Sequence, residues 1–294
     1  MKKTFSSKKS AFSLIELSIV LIIIGLLIAG VTGGASLIKS SELRAAISEA
    51  RGWSTAVNGF YNQFNAFPGD YNIVIGSTTG ATGNGNSRIE AYTGGANPSG
   101  TGSATTLCYA TTANAGGCAY EDNVAWTQLR NAGIVDTNTV SNPANHFNNT
   151  PATWSVALNA TYNVTNPQSK IKSSGWLFDY GLNGAVAGTN QNGQNVVILA
   201  GAVTGPNATD SYVNGATKVA GAITPADALS IDTKVDDGKA GTGRVQGINP
   251  GAAYNAYTAS SSTVVSECFY STNTYNTATT VKTCAISYQV DLNS

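Results

Sequence analysis

Three groups of residues in this 294-residue chain have types and spacings that could do chemistry. Glu16 follows a short basic start (Lys2, Lys3, Lys8, Lys9) and precedes an uncharged run from Leu17 to Ala29. A charge near the middle of a bilayer costs about 2.5–3.5 kcal/mol on insertion scales, and residues that carry this cost tend to be functional. Asp232, Asp236 and Asp237 cluster late in the chain, and several carboxylate oxygens together suit a hard cation such as calcium. Their spacing departs from an EF-hand loop, because Lys234 takes an oxygen position and Gly238 comes one residue late. A solvated helix end, or a salt bridge to Lys234 or Arg244, is the competing reading. Cys108 with Cys118 and Cys268 with Cys284 make two local pairs. An even cysteine count in an exported chain favours disulfides, local pairing being the simplest of three connectivities.

Catalysis is not expected. The single histidine, His146, has no cysteine nearby, and there is no Gly-x-Ser-x-Gly elbow or phosphate-binding glycine loop. Gly83-Asn84-Gly85 reads as loop glycine, since no strand–helix unit surrounds it. The formal charge is zero, but four of the 16 basic residues lie in the first eleven positions. The remaining 283 residues (294 − 11) therefore carry 12 basic and 16 acidic groups. That balance does not indicate nucleic-acid binding, which calls for clustered Lys and Arg.

These residues need elements to position them. Phe12 to Ile38 is long and apolar enough to span a membrane. Glycines 25, 30, 33 and 34 weaken helix propensity by up to about 1 kcal/mol each, so Gly33-Gly34 is where a bend is expected. Beyond it Leu43, Ile47, Ala50, Val57, Phe60 and Phe64 recur at helical spacing, and Pro68-Gly69 stops the pattern. Residues 76–106 read as a long Gly, Thr, Ser and Asn loop. Glu121 to Ala132 reads as a helix with Ala125, Trp126 and Leu129 inward and Gly133 capping it. Strands are expected at Trp154–Leu158, Trp176–Tyr180, Val196–Leu199, Val264–Tyr270 and Ala285–Val290, the last two as stapled neighbours. Thr224-Pro225-Ala226-Asp227 has helix-start chemistry, with Ala228, Ile231 and Val235 on the apolar face. Trp126, Trp154 and Trp176 are expected in the core. The head is therefore expected to be α+β, a long helix packed against an antiparallel sheet.

A secretory signal peptide or a plain transmembrane anchor would leave Glu16 without a role. The stretch Ala11-Phe12-Ser13-Leu14-Ile15-Glu16 resembles the prepilin signal of the type IV pilin and type II secretion pseudopilin superfamily. The family's first mature residue is usually Phe and its fifth Glu, matched here by Phe12 and Glu16; the residue before the cut is normally Gly and is Ala11 here. The resemblance implies cleavage between Ala11 and Phe12 and N-methylation of Phe12. Cleavage creates an amine that is positive at neutral pH, and Glu16 of a neighbouring subunit can pair with it during assembly. Weaker likenesses to the family lie at Phe67-Pro68-Gly69-Asp70, at Trp126 to Gly133 and at Ala228 to Gly238.

The resemblance further implies a pilin-like fold, divided into a leader at 1–11, a transmembrane and assembly helix at 12–38, a periplasmic continuation at 39–67 and a head at 68–294. It implies a structural subunit of a type IV pilus-like or type II secretion filament, the length favouring a minor or accessory one. A pilin-anchored adhesin or substrate-binding module is the alternative. Implied partners are a prepilin peptidase, other pilins or pseudopilins, a platform membrane protein, an assembly ATPase and membrane lipid. The implied location is the bacterial inner membrane, single-pass with the head in the periplasm, or a filament outside the cell. Some related pseudopilins bind calcium.

Overall fold

The computed structural model describes residues 13–73, 75, 83, 85, 87–89, 121–136, 166–180, 194–201, 221–248, 268–271 and 274–290. Helix α1 (Leu14–Phe64) runs for 51 residues. Its apolar half satisfies its own polar groups: the Ser18 hydroxyl donates to Ile15 O at 2.9 Å, and that of Thr32 to Ile28 O and Ala29 O at 3.0 and 3.1 Å. Such back-bonding satisfies these two hydroxyls without water. The helix is continuous through Gly33 and Gly34, so the chain does not unwind where the two glycines weaken it. Each glycine costs little against propagation from the helix formers on either side, since only nucleation is expensive.

The chain divides into two compact units at Glu42/Leu43. Within the unit that begins at Leu43, α1 buries Leu43, Ala46, Ile47, Ala50, Ala56, Val57 and Phe60, the stripe that the heptad-like spacing foretold. Trp53 meets Trp126 edge-on at 5.0 Å, and Trp126 packs on Phe178 at 4.2 Å. Helix α1 ends where Asn65 takes a positive φ of 51°. Gln128, on α2 (Glu121–Asn131), then holds the following turn from both sides: its Oε1 accepts from Gly69 N at 2.7 Å and its Nε2 donates to Tyr71 O at 2.8 Å. Gly133, at φ 71°, closes α2 as expected.

The main sheet is antiparallel, in the order β1 (Ser174–Tyr180), β2 (Asn195–Gly201), β6 (Ala285–Gln289), β3 (Val245–Ile248). Trp176 stands opposite Leu199, Leu199 opposite Ile286, and Ile286 opposite Gly247. One face (Trp176, Phe178, Val197, Leu199, Ile286, Tyr288) joins the main core with α1. The other (Leu177, Val196, Ile198, Ala200, Ala285) forms a smaller cluster. Both faces of β2 are buried, so it reads as an unbroken apolar run. The fold is α+β with a pilin-like layout.

A second, two-stranded sheet pairs β4 (Phe269–Ser271) with β5 (Thr274–Tyr275). The Cys268–Cys284 disulfide (Cα–Cα 4.8 Å) thus joins the start of β4 to the start of β6, in two different sheets, where neighbouring strands were expected. Strand β3 escapes sequence patterning because Gly247 interrupts it. That glycine answers to space: a Cβ there would lie 2.9 Å from the Tyr275 ring and 3.3 Å from Cys268 Sγ. The expected strand at Trp154–Leu158, most of the loop at 76–106, and residues 264–267 lie outside the described residues.

Candidate functional site

The amino end of α1 is built by two residues. Ser13 N–H donates to Glu16 Oε2 at 2.9 Å, and Ser13 O accepts from Leu17 N at 3.2 Å. Ser13 is therefore the cap, and Glu16, at the third helical position, reaches back to satisfy a donor that the helix leaves unpaired. The carboxylate also sits at the positive end of the helix dipole. A Ser-x-x-Glu pattern was present in the sequence as a helix-start signal; reading Glu16 only as a membrane charge passed it over. From Ser13 to Gly33 every residue is exposed, including Leu14 at 86% and Val31 at 71%. The helix is long and apolar enough to cross a membrane, and among the described residues nothing covers its apolar surface. Ala11 and Phe12 lie outside the described residues.

A second cluster forms where α3 (Pro225–Val235) ends. Thr224 caps the start of α3: its hydroxyl accepts from Asp227 N at 3.3 Å and donates to Asp227 Oδ2 at 2.7 Å. Asp232 is fully buried, with Oδ2 accepting from Tyr275 Oη at 2.8 Å and Oδ1 from Gly238 N at 3.1 Å. Asp236 Oδ2 accepts from Val245 N at 3.1 Å and from Arg244 N. Asp237 accepts from Lys239 N at 2.9 Å and from the Thr242 hydroxyl at 2.5 Å. The three aspartates each bring one oxygen within 4.8 Å of the others. Burial pushes the Asp232 carboxyl up to about 6, against the pull of the Tyr275 and Gly238 hydrogen bonds.

Burial, and then the charge on Asp232, hold the Tyr275 and Tyr288 hydroxyls un-ionised. The Tyr288 hydroxyl is buried and has no hydrogen-bond partner among the described residues. Of the two cations considered as partners, Lys234 donates to Ser230 Oγ at 3.2 Å, and Arg244 brings its backbone N–H to Asp236. Oxygen-only donors suit a hard cation in type. Hydrogen bonds engage both oxygens of Asp232 and of Asp237, each of which keeps a further lone pair.

Residues 6–32 match the family model for the prokaryotic N-terminal methylation motif. The chain carries the prepilin-type signal of type IV pilins and pseudopilins. The matched span contains Ala11, Phe12, Ser13 and Glu16 and most of the exposed apolar helix. Neither the curated proteins nor the solved structures contain a match to the chain. The prepilin-type signal implies processing by prepilin peptidase and assembly with other pilins, points to a structural subunit, and suggests membrane anchoring.

Downstream of the signal the structure brings together two more groups that the sequence separated. Cys268 and Cys284 are bonded, while Cys108 and Cys118 lie outside the described residues. Glu49 was not singled out from the sequence, yet its carboxylate accepts from Trp176 Nε1 at 2.9 Å, the Ser169 hydroxyl at 2.8 Å and Lys170 N at 3.0 Å. No local pattern announces it, because its partners are at least 120 residues away.

Proposed function

We propose that this chain is a minor or accessory subunit of a type IV pilus-like or type II secretion filament. The observation that carries the reading is the exposed apolar helix capped by Ser13 and Glu16, within the matched methylation motif. Prepilin peptidase cuts after Ala11, Phe12 is methylated, and the helix passes from the bacterial inner membrane into a filament, with the head on the periplasmic or outer side. A platform membrane protein and an assembly ATPase drive that transfer. Before assembly Glu16 caps its own helix; in the filament it pairs with the Phe12 amine of a neighbour. One partner of a buried ion pair left alone costs about 3–5 kcal/mol, so the pairing sets register.

The test is Glu16→Gln. Membrane insertion should be unchanged, while recovery in sheared filaments should fall at least tenfold. Normal incorporation overturns the pairing. Rare copies confined to a filament tip, with affinity for a ligand, would instead support the adhesin alternative.

A calcium role for Asp232, Asp236 and Asp237 is a separate proposal, supported by three converging carboxylates. Thermal unfolding in calcium and in chelator tests it. A higher Tm in calcium, lost in Asp237→Asn, supports the site, and equal Tm values remove it.

A further inference from the structure

Contacts along α1 show which end of the sheet lies nearest Leu43, the first residue of the head unit. Glu49 reaches Ser169, Lys170 and Trp176. Ser54 and Asn58, one to three turns further along, reach Val290 O, just past the end of β6. Strand β6 therefore runs away from Leu43, and so does β1, since both are antiparallel to β2. The end where both strands begin is the Leu43 end.

Three lysines occupy it. Lys170 and Lys172 lie in the turn that leads into β1, and Lys282 lies three residues before β6; all are exposed. Lys282 Nζ donates to Lys172 O at 3.2 Å, which makes them one patch. Beside Lys282, Val281 is 65% exposed. The turn is built to hold its shape. Glu49 accepts from Lys170 N, Ser169 Oγ accepts from Ile171 N at 3.2 Å, and the Ser174 hydroxyl donates to Ile171 O at 2.7 Å. Within the same unit the charges of Arg44 and Glu49 on α1 cancel, so the lysines leave an excess of positive charge. Leu43 follows Lys39, the first charge beyond the apolar run, by only four residues.

We propose that Lys170, Lys172 and Lys282, with Val281 as an apolar foot, dock the head on anionic phospholipid headgroups of the membrane that anchors α1. The proposal rests on the membrane-anchored reading above. A covalent anchor holds the patch at high effective concentration over one surface, a bilayer. Juxtamembrane basic residues are the usual means of attraction to anionic lipid. An acidic protein partner would use the same charge but would owe nothing to lipid composition.

The experiment uses the full chain, reconstituted in vesicles of phosphatidylcholine alone or mixed with phosphatidylglycerol. Flotation establishes incorporation, and amine-reactive labelling read by mass spectrometry gives a rate for each lysine. In anionic vesicles Lys170, Lys172 and Lys282 should label about fivefold more slowly, the factor given by a typical attraction per basic residue. High salt should restore the rates, and Lys234 and Lys239 should be unaffected. Equal rates in both vesicles, or slowing that includes Lys234, overturns the docking. Failure to float contradicts the anchor itself, and the proposal falls with it.

Discussion

Replacing Glu49 tests whether a single carboxylate locks α1 to the head. It accepts three hydrogen bonds, from Trp176 Nε1 (2.9 Å), Ser169 Oγ (2.8 Å) and Lys170 N (3.0 Å), and Trp176 and Ser169 are buried. A hydrogen bond to a charged group contributes about 1.5–3 kcal/mol net, and a buried donor left unpaired costs about 1–3 kcal/mol. Glu49→Ala strands the indole N–H and the Ser169 hydroxyl together, so a loss of about 3–4 kcal/mol is expected. Glu49→Gln keeps one accepting oxygen and the shape of the side chain, and should lose about 1–2 kcal/mol. Trp176→Phe removes one donor without stranding the carboxylate, which keeps its other two. In a double-mutant cycle, Glu49→Gln and Trp176→Phe should couple by about 1 kcal/mol. Denaturant unfolding of the full chain in detergent, followed by far-ultraviolet circular dichroism, supplies the free energies. A cost below about 1 kcal/mol for Glu49→Ala, or zero coupling with Trp176, refutes the reasoning.

Two further predictions concern the head. Asp232 binds its proton more tightly folded (about 6) than at its ordinary value of 3.8. Its contribution is therefore fully present below about pH 4 and is lost as pH rises through 6. Measured in chelator, Asp232→Asn should gain about 1–3 kcal/mol on wild type between pH 4 and pH 7; parallel pH profiles contradict this. Replacing Cys268 and Cys284 together by serine opens a loop of sequence separation 16. That should cost about 2–4 kcal/mol and speed amide exchange in β4 and β5, and an unchanged Tm counts against it.

Much of this fold follows from local pattern. Helical spacing exposed α1 and its buried stripe, Thr224-Pro225 marked the start of α3, and the apolar runs marked β1, β2 and β6. What stayed hidden depends on contacts between distant segments. Gly247 breaks the strand pattern of β3 because Tyr275 and Cys268 crowd it, and β5, with two residues, is too short to read. At the candidate site the position of Glu16 was legible, but its bond to Ser13 N was not drawn from the Ser-x-x-Glu pattern that encodes it. The aspartates of α3 were legible as a group. That Asp232 turns inward to Tyr275, while Asp236 and Asp237 bind the loop that follows, depends on where β5 and β3 fall. Glu49 shows the same limit, since nothing near it in sequence says what it binds.

The central claim is that Phe12 is the first residue of the working protein. Mass spectrometry of the amino-terminal peptide from membranes of cells that express a prepilin peptidase tests it most directly. The account predicts a peptide that begins at Phe12 and carries one added methyl group. An intact Met1, or a terminus at Ala35, contradicts it.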